Sequence, residues 1–315
     1  MGREHTPREL LGRAVATVRT EGVLELVHRS VPYLRRRRNR LWKQLLARMG
    51  GVPAARAYLR ARRWVRPASI TDADPFARLW IDPARIDTQV RTTSKRWGRV
   101  VDGDWDRAVV PFDETSAYRS VVAHFQQGTP WSETAEFEQY RDRLEAGEQP
   151  KGCTTEDELA ARFEELDAIY DRIATDGYRS QPELWADRPE YQRTVFYKWD
   201  RTIDPRLDEV TVSIGRDGQV LHSDRGDHRL AIAKLLECRT VPVLVRRRHT
   251  YWQSIRAEIA AATRPSDLTA RARRHLEHPD VRDLHEFELS ATEIETAAAS
   301  GDSSPAAVVD EEEIT

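Results

Sequence analysis

The chain has 315 residues, 39% of them apolar and 32% charged, with a formal net charge of −2. That length suits one large domain or two small ones, and no run approaches the roughly 18–20 consecutive apolar residues of a helical membrane span. The near-neutral total hides a split: residues 1–66 hold 17 Lys+Arg against 4 Asp+Glu, and the remainder holds 33 against 48. This is the pattern of a basic arm that meets a polyanion, joined to an acidic body.

Residues 7–34 carry Leu10, Leu11, Ala14, Val15, Val18, Leu24, Leu26, Val27 and Val31 near helical spacing, with Pro7 suited to a first turn and Pro32 to a stop or kink. The basic run 35–40 then leads into Leu41, Trp42, Leu45, Leu46 and Met49. That pattern fits an interfacial membrane helix, a phosphate-backbone contact surface, or a solvated helix docked on its own body. Gly50, Gly51 and Pro53 break this region, and residues 1–66 are read as a basic helical extension. From residue 76 the character changes. Leu79, Trp80 and Ile81 read as a short strand, and Asp102-Gly103 as a hairpin turn.

Residues 114–175 read as a polar helical insertion in which Phe163, Leu166, Ile169, Tyr170 and Ile173 share a face that stops at Gly177. Val195, Tyr197 and Trp199 alternate with polar residues, as do Val210, Val212 and Ile214. Gly218 turns the chain into Val220 and Leu221. A polar loop precedes a short helix over 228–236, and Val241, Val243 and Val245 form a last strand. Residues 251–289 return to helix, and 290–315 form an acidic tail with too few apolar residues to offset the entropy of ordering.

Cys153 and Cys238 are the only cysteines. Without CxxC spacing they make neither a disulfide framework nor a zinc site, and the N-terminus lacks the apolar core and cleavage site of a signal peptide. The expected location is cytoplasmic, peripheral to the membrane if the arm binds lipid.

The chemistry concentrates at Gly226, Asp227, His228 and Arg229, between a strand end and a helix start. The N–H groups of a helix N-terminus bind phosphate, and glycine permits close backbone approach. Arg229 suits bidentate phosphate contact, and His228 suits proton transfer near neutral pH. Asp224 and Asp227 are hard oxygen ligands for Mg²⁺ beside a phosphate. The same residues also suit an N-cap followed by two surface side chains. Arg248 and His249, read as following the last strand, with Trp252, Gln253 and Arg256 beyond, form either a wall for a base or sugar-phosphate or a packed helix face. Asp200, beside Lys198, Trp199 and Arg201, is a further candidate base. His275, His278 and His285 have helical spacing, but Pro279 interrupts it, and metal binding is not expected there.

The run from Glu209 to Val245, with Asp217-Gly218, the Gly226-Asp227-His228-Arg229 turn and Val241-Pro242-Val243, resembles the ParB/sulfiredoxin superfamily. Residues 80–86 look like that family's opening strand and turn, and residues 177–181 like the segment after its first core helix. The resemblance implies an α+β fold: a small mixed-sheet ParB/sulfiredoxin-like domain over 76–250 carrying the helical insertion. It also implies that Gly226, Asp227, His228 and Arg229 bind the triphosphate of ATP or CTP with Mg²⁺, Asp227 and His228 serving phosphotransfer or hydrolysis. Two departures matter. Asp227 stands where sulfiredoxin has its catalytic cysteine, so sulfinic-acid reduction is not expected. Arg225 stands where kinase relatives carry an acidic residue, which leaves Asp224 or Asp227 as the metal ligand. Two further readings stand beside nucleotide binding. One is a DNA-binding or ParB-like nuclease module, and the other a membrane-surface accessory protein; both use residues 35–66.

Overall fold

The computed structural model describes residues 51–92, 96–187, 204–285 and 287. The helices expected over 7–34 and 35–49, the alternating segment 195–199, the Asp200 candidate and the tail lie outside the described residues.

Seven strands form one mixed sheet in the order β1-β7-β5-β6-β2-β4, with β3 also paired to β7. They are β1 (Arg78–Ile81), β2 (Thr88–Val90), β3 (Arg99–Val101), β4 (Val109–Pro111), β5 (Val210–Ile214), β6 (Val220–His222) and β7 (Val241–His249). β7 organises the sheet. One edge pairs in parallel with β5, while β1 takes Val241 to Leu244 antiparallel and β3 takes Arg247 to His249 in parallel. The expected hairpin at Asp102-Gly103 therefore does not form. β3 is captured by the far end of β7, and β4 pairs with β2 instead. The same pairing carries β7 through Arg248 and His249, beyond where the sequence places its end.

The alternation of Val210, Val212 and Ile214 with Thr211 and Ser213 gives β5 one apolar face and one hydroxyl face. The apolar face packs with Val241, Val243 and Val245 beneath helices α2 (Ser116–Gln127), α3 (Ala135–Glu145), α4 (Glu156–Asp176), α6 (Asp227–Leu235) and α7 (Thr250–Ala261). Phe137, Phe163, Ile232 and Trp252 fill this main core. α5 (Gln181–Asp187) follows Gly177, whose φ of +75° ends α4 where the sequence predicts. The second face carries smaller clusters. Leu244 meets Ala55 of α1 (Val52–Val65) and Phe76, and Leu221 meets Val90 and Trp105. Helix after 250 is less continuous than expected: α7 ends at Ala261, and among the described residues only α8 (Ala270–Arg273) and short 3-10 turns follow.

The mixed α/β architecture agrees with the predicted fold class. The region expected as a helical insertion is α2 to α4. It packs on α6 as part of the main core.

Candidate functional site

α6 starts at Gly226, whose φ of +84° is left-handed. A Cβ here would lie 2.8 Å from Val210 Cγ2 and 2.9 Å from Val210 Cα. The glycine is thus demanded by close packing on β5 as well as by its φ. No side chain caps α6, so the N–H groups of its first turn present partial positive charge at this end.

The region expected as insertion supplies the groups around that end. His228 Nε2–H donates to Glu136 Oε2 of α3 at 2.6 Å, and Tyr140 O–H donates to Glu136 Oε1 at 2.8 Å. The Glu136 N–H is held in turn by Ser120 Oγ at 3.0 Å. Glu136 is buried, and burial by itself would raise its pKa. The facing His228, with Lys151 and Tyr140, outweighs burial and holds the carboxyl down at about 2. Burial and Glu136 together push the Tyr140 phenol far above its ordinary value, so it stays a donor. His228 Nδ1 has no hydrogen bond among the described residues. The ring is therefore oriented by a buried carboxylate at one nitrogen and open at the other, the arrangement of a general acid–base histidine.

Lys151 Nζ lies 3.7 Å from Asp227 Oδ2 and 5.5 Å from the centre of the Tyr140 ring. Asp227 Oδ1 lies 3.4 Å from Nε2 of the buried His222, which also donates to the Arg225 carbonyl at 3.1 Å. Arg225 and Arg229 share Asp208, at 3.4 and 3.6 Å. Three half-buried cations, Lys151, Arg225 and Arg229, therefore surround the N-terminus of α6, paired there with Asp227 and Asp208.

Of the predicted residues, Gly226, Asp227, His228 and Arg229 come together here. Asp224 does not join them. Its Oδ1 accepts from Thr211 Oγ1 at 3.0 Å and faces Arg246 Nε at 3.4 Å, on the hydroxyl side of the sheet. No group of three or more His, Cys, Asp or Glu that could hold a metal ion exists among the described residues.

Arg248 and His249 are engaged by other partners. Arg248 is buried and pairs with Asp280 through two hydrogen bonds, one of them at 2.8 Å. Trp252 Nε1 donates to the same carboxylate at 2.8 Å, and Arg256 lies 3.3 Å from it. His249 donates from Nε2 to the Gly103 carbonyl at 2.9 Å and accepts the Tyr251 N–H at Nδ1, capping α7. The proposed wall is thus the packed alternative, an ion-paired core under α7. His278 belongs to that core: Nε2–H donates to the Gly218 carbonyl, and burial pushes the ring down to about 4.

Sequence reasoning missed Glu136, Tyr140, Lys151, His222 and Asp208. One signal was available for Lys151, one of five lysines beside 45 arginines. Glu136 lies four residues from Tyr140, a spacing that puts the carboxylate and the phenol on one helix face.

Comparisons with protein-family models, with curated proteins and with solved structures found no significant match.

Proposed function

We propose that the chain binds a nucleoside triphosphate, ATP or CTP, at the N-terminus of α6 and transfers or hydrolyses its terminal phosphoryl group. The observation that carries this reading is the Glu136–His228 pair set at a helix N-terminus beside Lys151 and Arg229. Phosphates would take the first-turn N–H groups, with Arg229 and Lys151 as cationic partners. His228 Nδ1 would accept the proton of the attacking hydroxyl or water as its oxygen bonds the terminal phosphorus. The bond from phosphorus to the bridging oxygen then breaks, and the nucleoside diphosphate leaves. Asp227 is the one predicted carboxylate at the phosphates. Asp227 would be the carboxylate to hold Mg²⁺ there, and no step is routed through a metal.

The resemblance over Glu209 to Val245 supports the same ligand class. The test is thermal unfolding of the full chain with ATP or CTP, each with and without Mg²⁺. A rise that depends on nucleotide and is lost in Lys151→Ala supports the reading, and no rise with either nucleotide rejects it.

One observation favours a membrane-surface role beside this activity. At the end of α1, Trp64 is 88% exposed and Val65 69% exposed, between Arg62, Arg63 and Arg66. An exposed indole amid arginines gains by entering the interface of an anionic bilayer. Binding to duplex DNA instead of vesicles would favour the nucleic-acid reading.

A further inference from the structure

The hydroxyl face of the sheet holds a cluster that the nucleotide reading does not use. The register between β5 and β7 passes from Val212 opposite Val245 to Ser213 opposite Arg247 and skips Arg246. This bulge sets Arg246 and Arg247 on the same face instead of alternating. Each guanidinium stacks over an indole, Arg246 at 3.7 Å from the Trp97 ring centre and Arg247 at 3.8 Å from that of Trp105. Beneath them lie Thr211, Ser213 and Ser223, all without solvent exposure.

The two arginines differ in how they are satisfied. Arg247 donates to Ser213 Oγ at 3.4 Å and to the Thr92 hydroxyl and carbonyl. The Arg246 side chain is only 4% exposed, yet its Nε is buried without a hydrogen-bond partner. No group among the described residues accepts from its Nη atoms either, and these are not sealed from solvent. Its counter-ion, Asp224, stands 3.4 Å away at Nε and is already engaged by Thr211. Burial lowers the Arg246 pKa to about 10 against the opposing pull of Asp224 and Asp208, with Arg225 adding repulsion. Neighbouring acids are committed elsewhere, Asp106 to Arg216 and Asp208 to Arg225 and Arg229. Asp224 and Asp208 pull on Arg246, and Asp106 and Asp224 on Arg247, but none of them forms a hydrogen bond with Arg246, whose fork stays unpaired among the described residues.

A guanidinium braced on an indole, with its Nη edge unpaired, presents a fork that matches two oxygens sharing one negative charge. We infer that Arg246 on Trp97, beside Arg247 on Trp105, is a second anion site on the opposite face of the sheet from α6, taking a single carboxylate or phosphoryl group. This inference does not rest on nucleotide binding.

The test is titration of the full chain with acetate and with inorganic phosphate, followed through arginine-selective ¹⁵N signals of Nε–H. The Arg246 signal is identified by its loss in Arg246→Lys. The expected result is saturable movement of that signal, with the two arms separating carboxylate from phosphoryl. Affinity should fall about tenfold or more in Arg246→Gln. Lys151→Ala, which weakens only the α6 site, should leave the Arg246 titration unchanged, so failure of either site is distinguishable. A stationary Arg246 signal in both arms overturns the inference, as does undiminished binding by a folded Arg246→Gln. If Arg246→Gln does not fold, the wild-type signal alone decides.

Discussion

Replacing Glu136 by Gln removes one charge and almost no volume from the pair that orients His228. In the folded chain this carboxyl titrates at about 2 against an ordinary 4.5. A depressed carboxylate stabilises the fold fully above its unfolded value. That contribution is lost as pH falls from about 4.5 through about 2. The interval corresponds to about 3 kcal/mol at neutral pH. Gln keeps an acceptor for Tyr140 but loses the charge-assisted bond to His228. Urea unfolding should therefore show the variant less stable than wild type by about 2–3 kcal/mol at pH 7. Near pH 3 the difference should shrink to less than half, because wild type has lost most of the contribution as well. Equal differences at the two pH values would show that packing, not charge, holds the pair, and no difference at pH 7 would refute the reasoning outright.

Asp280→Ala leaves Arg248 and Arg256 facing each other in the core without their shared carboxylate, and should cost about 3–5 kcal/mol by the same unfolding assay. Gly226→Ala forces a Cβ against Val210 at positive φ and should lower Tm by about 5 °C or more without nucleotide present. A neutral effect there would mean that β5 and α6 separate easily. Lys151→Ala should weaken nucleotide binding about tenfold, read by calorimetric titration, while destabilising the fold by no more than about 1 kcal/mol in urea unfolding. Trp64→Ala should reduce co-sedimentation with phosphatidylglycerol vesicles with no change in stability. Equal binding of wild type and variant would remove α1 from the interface.

The elements that the sequence predicts well are those whose signal is local. β5, β6 and α6 follow from strict alternation, a Gly218 turn and a short apolar helix within 26 residues, and each is present. The stop of α4 at Gly177 is also a one-residue signal. The hairpin at Asp102-Gly103 failed for the opposite reason. A turn dipeptide states that the chain bends, but the partner of β3 is β7, nearly 150 residues away. The end of β7 was misplaced because Arg246, Arg247 and Arg248 look like the solvated end of a strand. Two tryptophans from a distant segment and the carboxylate of Asp280 make it possible to bury them.

The candidate site divides the same way. Gly226, Asp227, His228 and Arg229 were legible because the helix start and its residues are contiguous. Glu136 and Lys151 were not, because nothing in a run of polar helix marks which carboxylate will meet a histidine 92 residues later.

The charge split between a basic first fifth and an acidic remainder is a property of the sequence alone, as are the order of elements from Val210 to Val245 and the anion-seeking loop at its centre. The use of each charge was decided only by the tertiary structure. It buried Arg248 and Arg256 around Asp280, stacked Arg246 and Arg247 on indoles, and set Glu136 against His228. A charge in sequence carries only its sign. Its energy depends on burial and on the distance to its partners, and both are set when remote segments pack.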